Sequence, residues 1–225
     1  MSPFSSQGKT TLVNCLRGLP DARKTADFVY KEDDPAPIDF TQTTTKPTRY
    51  RWPANFFPYV AIWDMSSGDT PKHPTNTYFQ DNQLHRFACL LLLINDRFTE
   101  FDIAICRQAV QYEIPVIMVI TKVGQVVDSE RKFKEMELER KLTEHEFQEV
   151  IHNTVGTLKN NIARELQEHN INQIAHIPLF VIEAHSFRQP DLYNCPPLET
   201  EQLLDYCMKM MASNENRYSK TNTST

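Results

Sequence analysis

The chain has 225 residues, which suffices for one α/β domain and leaves little for a second. Its 24 Lys and Arg and 29 Asp and Glu give a formal net charge of −5, and no Lys/Arg-rich run supports nucleic-acid binding. The five cysteines contain no Cys-x-x-Cys pair, which favours a reducing, cytoplasmic compartment over a disulfide framework. The most apolar stretch, 87–94, is too short to cross a bilayer, so we expect no transmembrane segment.

Hydrophobic patterns predict strands and helices that alternate along the chain. In chain order we predict a helix at about 8–18, a polar loop from 19 to about 42, strands at 47–52 and 57–64, a loop at 65–74, a helix at about 76–86, a strand at 87–95, a helix at 96–112, a strand at 115–121, charged helices within 129–169, a strand at 178–182 and a helix at 199–212. Residues 213–225 are polar and repetitive and are predicted to be disordered. This alternation predicts an α/β fold with a mostly parallel sheet that helices cover on both faces.

The first helix begins in a sequence that resembles part of a nucleotide phosphate loop, Ser5-Ser6-Gln7-Gly8-Lys9-Thr10-Thr11. In that motif backbone N–H groups surround the β-phosphate, the lysine reaches the β/γ oxygens, and the hydroxyl binds Mg²⁺. Pro3 stands where the first glycine of the motif belongs, and its fixed φ and missing N–H prevent it from copying that glycine freely. A helix N-terminus that faces an anion is the context the motif needs. The alternative is a chance Gly-Lys-Thr sequence on a polar segment.

Two later strand ends suit the same ligand. The predicted strand 57–63 ends in Asp64, where a carboxylate that holds Mg²⁺ through water would lie, and 114–120 ends in Thr121-Lys122. In GTPases an Asn/Thr-Lys-x-Asp element at such a strand end holds guanine: the lysine stem covers the base and the aspartate accepts two hydrogen bonds. Either strand end alone is also what an ordinary solvated turn contains. Three signals in the required order at C-terminal strand ends predict a P-loop NTPase-type, three-layer αβα fold.

Over roughly residues 3–185 the chain resembles the G domain of the immunity-related (interferon-inducible) GTPases. The agreement comprises the run from Gly8 to Gly18, Thr43-Thr44 followed by Lys46 and Tyr50, the run from Val60 to Met65, Arg97-Phe98 before Asp102, and Thr121-Lys122-Val123. The resemblance implies one G domain over 1–212, with a switch-I-like loop at 19–45 and a switch-II-like loop at 65–74. It also implies binding of GTP and GDP with Mg²⁺, slow hydrolysis, and association with itself or related GTPases through the nucleotide face in innate immune defence. A cytoplasmic location follows, with peripheral attachment to intracellular membranes left open.

The resemblance assigns roles to individual residues. The catalytic candidates are Lys9, as the clamp on the β/γ-phosphates, and Thr44, as the switch threonine, with Thr43 as the alternative to Thr44. The implied metal ligands are Thr10, Thr44 and Asp64, and the nucleotide-binding candidates are Ser6, Gln7, Gly8, Lys9, Thr10, Thr11, Ser67, Thr121 and Lys122. No residue is predicted to position the attacking water, so catalysis would depend on positioning and Mg²⁺ electrostatics.

The chain also departs from the family pattern. The departures are Pro3 for the first phosphate-loop glycine, Ser67 for the glycine whose N–H meets the γ-phosphate, Gly124 for the guanine-binding aspartate, and Glu183-Ala184 for a Ser-Asn pair beside the base. Removing an ionised acceptor of two hydrogen bonds forfeits about 1.5–3 kcal/mol per bond. We therefore expect the guanine preference to fall unless Asp128 or a backbone group substitutes.

Only Met1 and Ser2 precede Pro3, although a phosphate loop normally follows a central buried strand. We therefore expect the first central strand to be missing, either because the true protein starts upstream or because this is a degenerate family member. Two functions remain open on the sequence. One is a GTP-binding protein with slow hydrolysis, and the other is a catalytically silent module that binds nucleotide weakly and docks on intact GTPases.

Overall fold

A computed structural model describes residues 8–23, 31–38, 46–52, 60–68, 70, 73–94, 98–168, 177–186 and 195–221, with side chains of the last range to 212. The elements are α1 (Lys9–Leu16), β1 (Ala22–Arg23), β2 (Pro37–Ile38), β3 (Thr48–Arg51), β4 (Ala61–Asp64), α2 (Thr75–Asp81), a 3₁₀ turn (Leu84–Arg86), β5 (Leu90–Ile94), α3 (Glu100–Gln111), β6 (Val116–Ile120), α4 (Val123–Leu138), α5 (Glu144–Glu168), β7 (Leu179–Val181) and α6 (Thr200–Thr221). Four strands follow α1, and from α2 onward helices separate the strands. Most of the strands pair in parallel, so the predicted α/β class is confirmed.

The chain divides into two compact units. The first comprises Met1–Ser67 and Glu201–Thr225, and the second comprises Gly68–Thr200. The first unit contains α1 and β1 to β4, and the second contains α2 to α5 and β5 to β7. The single domain over 1–212 stays a prediction.

In the first unit, α1 forms and ends as its sequence predicts. Leu12 and Leu16 are buried on one side of the helix. Gly18 takes the left-handed backbone conformation, with φ 70, and the N–H of Leu19 donates to the carbonyl of Asn14 at 2.8 Å. This bond across a left-handed glycine closes the last turn, because it satisfies a carbonyl that the helix leaves without an intrahelical donor.

The strand that ends in Asp64 is an antiparallel partner of β3. Thr48 lies opposite Asp64 and Tyr50 lies opposite Ile62. This register places Asp64 at the C-terminal end of β4, as predicted. The strand is shorter than the predicted 57–64: it begins at Ala61, and residues 57–59 lie outside the described part of the chain.

The segment 19–42, which we predicted to be a polar loop, contains two short strands. β1 pairs with β2 in parallel, with Ala22 opposite Pro37 and Arg23 opposite Ile38. A two-residue strand is too short to show a period of two, so no sequence pattern could have predicted this pair.

Asn14 of α1 and Arg17, the C-cap of that helix, bind the backbone of the segment 19–42. Asn14 exchanges two hydrogen bonds with the backbone of Ala36: its Oδ1 accepts at 2.6 Å and its Nδ2 donates at 2.8 Å. Arg17 is 3% exposed, and its guanidinium lies 5.0 Å from the centroid of the Tyr50 ring. Its three nitrogens donate to the carbonyl oxygens of Glu32 at 2.7 Å, Asp34 at 2.8 Å and Arg51 at 3.0 Å.

In the second unit, β5, β6 and β7 form a parallel sheet with β6 in the middle. Met118 of β6 pairs with Leu92 on one side and Leu179 on the other, and all five residues of β6 are buried. Buried on both faces, such a strand reads as a continuous apolar run, which is what its sequence shows. Because the strands are parallel, the residues that follow β6 and β7 emerge at one edge of the sheet.

One of the residues on which the family resemblance is based, Asp102, caps a helix of this unit. Thr99 and Asp102 cap α3 reciprocally: Asp102 Oδ2 accepts the N–H of Thr99 at 2.9 Å, and Thr99 Oγ1 accepts the N–H of Asp102 at 3.3 Å. Asp102 therefore has a structural role in the described chain. In α5, one of the helices predicted within 129–169, the apolar residues Ile151 and Ile162 are buried.

Two helix boundaries differ from the predictions. The helix predicted at 76–86 ends at Asp81, because Asn82 caps it by donating from Nδ2 to the carbonyl of Tyr78 at 2.8 Å and Gln83 is left-handed with φ 50. The last helix continues past Ala212 to Thr221 where we predicted disorder; the segment 213–221 is polar but contains no Pro or Gly to end a helix. None of the helices within the described residues combines enough length with enough apolar character to cross a membrane.

Candidate functional site

The N-terminus of α1 is built to receive an anion. Gly8, the N-cap, is left-handed with φ 73 and ψ 16, a conformation that glycine adopts without a steric penalty. No side chain caps this helix end, and its first turn contains no acidic residue. The N–H groups of a first turn have no intrahelical acceptor and carry the positive end of the helix dipole. An anion at this position would therefore meet several donors and no negative side chain of the helix.

Lys9 reaches from this helix to the end of β4. Its Nζ donates to Ser67 Oγ at 2.9 Å. Burial lowers the pKa of the Lys9 ammonium below its usual value, and the nearby Asp64 carboxylate opposes that shift without reversing it. The ammonium is thus only partly compensated in this structure, and a phosphate would be a stronger acceptor than a neutral hydroxyl.

Thr10 and Asp64, two of the predicted metal ligands, contact each other directly. Thr10 Oγ1 donates to Asp64 Oδ2 at 2.8 Å, and the two residues are 9% and 3% exposed. Both supply the hard oxygen donors that Mg²⁺ prefers. Within the described residues no three His, Cys, Asp or Glu side chains gather to hold a metal by themselves. This donor set fits Mg²⁺, which usually takes one or two protein ligands and completes its shell with phosphate and water.

The first unit therefore brings four predicted residues together in space: Lys9, Thr10, Asp64 and Ser67. Thr11 lies in the same first turn of α1. The predicted residues Ser6, Gln7 and Thr44, together with Thr43 and Pro3, lie outside the described residues.

In the second unit, the predicted base-binding residues lie at the junction of β6 and α4. Thr121 follows the strand and is buried, and Lys122 is the N-cap of α4 with a left-handed φ of 62. Burial lowers the pKa of the Lys122 ammonium, and the Glu183 carboxylate acts against that shift. A lysine stem held over a strand end in this way offers an apolar surface to a flat ring.

Gly124 contacts a residue whose role the sequence left undefined. Its N–H donates to Glu183 Oε2 at 2.8 Å, and Glu183 Oε1 accepts the N–H of His185 at 3.2 Å. Glu183 is 2% exposed. Sequence reasoning noted both departures separately. The signal that could have linked them is that, relative to the family pattern, the chain lacks a carboxylate at 124, after β6, and has an additional one at 183, after β7.

Asp128, the acidic residue that we considered as a substitute for the missing aspartate, is engaged within its own helix. Its carboxylate pairs with Arg131 at 2.5 Å and with Lys132 at 2.6 Å. These partners, the hydrogen bond from Lys132 first, lower the pKa of Asp128. The carboxylate that could substitute for the missing aspartate is therefore paired within α4 in this structure, and the substitution itself stays a prediction.

Comparison with known proteins identifies the family. Residues 4–216 match the family described as Interferon-inducible GTPase (IIGP). The chain is 26% identical over 198 residues to T-cell-specific guanine nucleotide triphosphate-binding protein 2 of Mus musculus, a match that covers 88% of this chain and 41% of that protein. It is 24% identical over 196 residues to Immunity-related GTPase family M protein 3 of Mus musculus, covering 86% of this chain and 38% of that protein. The chain thus spans less than half the length of these relatives. Since the family match extends over most of its residues, the chain belongs to the interferon-inducible GTPase family.

Proposed function

We propose that this chain binds GTP and GDP together with Mg²⁺ and hydrolyses GTP slowly. The observation that carries the proposal is the contact group at the start of α1, where an ammonium, a hydroxyl and a carboxylate meet at an uncapped helix N-terminus. Lys9, Thr10 and Asp64 are the residue types that a magnesium triphosphate requires. The printed names of the relatives, one a guanine nucleotide triphosphate-binding protein and one a GTPase, agree with it.

In this proposal the phosphates are held by the chain's own charges and amides. The N–H groups of residues 6–11, from Ser6 and Gln7 through Gly8 to Thr11, surround the β-phosphate. Lys9 exchanges its hydrogen bond with Ser67 for bonds to β- and γ-phosphate oxygens. The N–H of Ser67 is then the donor nearest the γ-phosphate. For the second unit, the proposal assigns Thr121 and Lys122 to the nucleotide base.

Thr10 and Asp64 would hold Mg²⁺ through their oxygen atoms, and Thr44 is proposed as a further ligand. The ion, when bound, neutralises charge on the β/γ oxygens. Asp64, the carboxylate of this group, is assigned to the metal, and no described residue of the group is assigned to take a proton from water, so in this proposal the protein contributes positioning and electrostatics. Slow hydrolysis is the expected consequence. Association with itself or with related GTPases through the nucleotide face, in the cytoplasm and in innate immune defence, is the matching proposal for partners.

Nucleotide titration of the full chain tests this function. We expect micromolar affinity for GTP and GDP in the presence of Mg²⁺ (about −8 kcal/mol at 1 μM), with slow release of phosphate from GTP, because Lys9 is proposed to bind the phosphates and Thr10 and Asp64 the metal. The measurement is a labelled-nucleotide titration followed by single-turnover hydrolysis. Binding without turnover would support the silent interaction module instead. An unchanged thermal midpoint at millimolar GTP-Mg²⁺ would reject both nucleotide-binding functions, since a ligand that binds the native state must stabilise it.

The pH dependence of affinity gives a second test. Burial holds the pKa of Lys9 below 10.5, and a bound triphosphate should raise it, because the phosphate favours the charged ammonium. Between the free and bound pKa values, binding takes up a proton, so we expect the affinity for GTP to fall as pH rises through the alkaline range below 10.5. In nucleotide-free protein the sign is opposite: the unfolded chain binds more protons, so this group makes the unfolding free energy rise with pH over the same window.

Lys9→Arg is the matched control for this pH test. Arginine keeps its charge throughout the range, so the variant should lack the part of the pH dependence that Lys9 causes, and its affinity for GTP should fall less steeply with pH. The measurement is a titration series from about pH 7 to pH 10. If both proteins show the same slope, a group other than Lys9 is responsible.

A further inference from the structure

The Glu183 side chain lies where a side chain at position 124 would begin. A Cβ added at Gly124 would lie 2.8 Å from Glu183 Oε2, 3.2 Å from its Cδ and 3.3 Å from its Cγ. Gly124 is not among the described glycines with positive φ, which are Gly8 and Gly18. The backbone would therefore accept a side chain at position 124, and the Glu183 carboxyl group would have to move to admit it. An aspartate at position 124 and a glutamate at position 183 compete for the same space.

The Glu183 carboxylate has several favourable neighbours. Gly124 is the second residue of α4, so Oε2 accepts one of the helix's first N–H groups and lies at the positive end of the helix dipole. Oε1 accepts the N–H of His185. The Lys122 ammonium adds an attractive charge. These contacts explain how an ionised group can be 2% exposed, and they direct both oxygens to main chain within the protein.

We infer that Glu183 occupies the space of the missing base-binding carboxylate while turning both its oxygens to main-chain N–H groups, so that the chain accepts purine nucleoside triphosphates without preferring guanine. The inference rests on the proposed function for nucleotide binding itself and adds its substrate class. Glu183 is then the residue that determines base specificity, because it takes the space of a side chain at 124 and its own carboxyl group is buried at 2% exposure.

The chemistry of the bases makes this inference specific. Guanine presents two donors, N1–H and the 2-amino group, hypoxanthine keeps only N1–H, and adenine has neither. An exposed carboxylate would rank them in that order, because each lost hydrogen bond to a charged acceptor costs roughly tenfold or more in affinity. Asp128 pairs with Arg131 and Lys132, and the N–H of Gly124 is donated to Glu183. Among the described residues, the proposed base contacts are then Thr121 and the Lys122 stem, neither of which is a carboxylate that would accept both N1–H and the 2-amino group, so the three bases should bind alike.

The first experiment compares GTP, ITP and ATP on the full chain with Mg²⁺. We expect the three dissociation constants to agree within about threefold, less than the loss of one charged hydrogen bond. We expect Gly124→Asp combined with Glu183→Ser to favour GTP over ITP by about tenfold or more, since the aspartate then enters the vacated space with an exposed acceptor. Glu137→Ser, on the exposed side of α4, is the control and should keep the wild-type ratio.

The second experiment measures thermal unfolding without nucleotide. Gly124→Asp alone should lower the Tm by several degrees, because its Cβ meets Oε2 and two carboxylates are forced together. Glu183→Ser alone should also lower the Tm, because two N–H groups lose their acceptor. The double variant should lose less than the sum of the single variants.

The outcomes distinguish a failure of the inferred base specificity from a failure of nucleotide binding itself. If wild-type protein prefers GTP over ITP by more than about tenfold, the inference is overturned. Loss of that preference in the isosteric Glu183→Gln would then show that the carboxylate reads the base. Additive Tm losses would overturn the shared-space argument. If none of the three nucleotides binds, the proposed function and the substrate class fail together, while the unfolding cycle still reports whether residues 124 and 183 are coupled.

Discussion

Lys9→Ala should lower the affinity of this chain for GTP-Mg²⁺ by about 100-fold or more and leave its stability nearly unchanged. The loss comes from two charge-assisted contacts with phosphate oxygens, each worth about 1.5–3 kcal/mol. Stability should hold because the Lys9 ammonium has a lowered pKa from burial and one described hydrogen bond, to the neutral Ser67 hydroxyl. Removing a poorly compensated charge costs the nucleotide-free protein little.

This combination distinguishes a binding lysine from a structural one. A lysine that only supports the start of α1 would lose stability and affinity together. The measurements are nucleotide titration and denaturant unfolding of the same preparation, with Lys209→Ala, an exposed position on α6, as the matched control. If Lys9→Ala binds GTP within about threefold of the unmodified chain (under 1 kcal/mol), the Gly-Lys-Thr sequence is a solvated helix start and the proposed function loses its main support.

The elements that the sequence predicts well are those whose signal is local. β6 is a continuous apolar run of five buried residues, and α1 has both an apolar side and a glycine stop, so neither depends on distant residues. Asp64 could be placed at a strand end because the apolar run before it ends there. The contact of its carboxylate with Thr10 then follows from the order of motifs along an α/β chain, although 54 positions separate the two residues.

The contacts that the sequence does not predict depend on how distant strands are aligned in the sheet. The bond from Gly124 to Glu183 joins residues 59 positions apart, and it requires β6 and β7 to be aligned so that both chain segments leave the sheet at the same level. Nothing local to Glu183 shows whether a strand-end carboxylate faces water or a helix N-terminus. The same limit applies to Ser67: the sequence suggested its N–H as the functional group, and the structure adds a hydroxyl that accepts from Lys9.

The role of Arg17 was hidden for a different reason. Its acceptors are main-chain carbonyls, at Glu32, Asp34 and Arg51, and main-chain groups carry no sequence signature. The segment after β1 shows no hydrophobic periodicity, so the sequence predicts a polar loop there. The guanidinium supplies donors to these three carbonyls, of which that of Glu32 also accepts the N–H of Arg51 at 3.2 Å.

Arg17→Met should therefore destabilise the protein by about 3–5 kcal/mol, the largest stability loss we expect from a single substitution outside the apolar core. Three carbonyl groups lose the guanidinium as a donor at once, although the Glu32 carbonyl keeps the N–H of Arg51 at 3.2 Å. Each buried group left unpaired costs about 1–3 kcal/mol, partly offset where water enters. The contact with the Tyr50 ring, 5.0 Å from the guanidinium carbon, is lost as well. Methionine keeps much of the side chain's volume, so the loss would not reflect a large cavity.

The test is equilibrium unfolding in denaturant, with two matched variants. Arg17→Lys keeps the charge but has one compact ammonium that cannot span three carbonyl groups, so it should recover only part of the loss. Arg107→Met, at an exposed position on α3, makes the same chemical change without such partners and should shift stability by less than about 0.5 kcal/mol. If Arg17→Met costs less than about 1 kcal/mol, water replaces the guanidinium at these carbonyls, and the segment 32–36 is held mainly by the paired hydrogen bonds between Asn14 and Ala36.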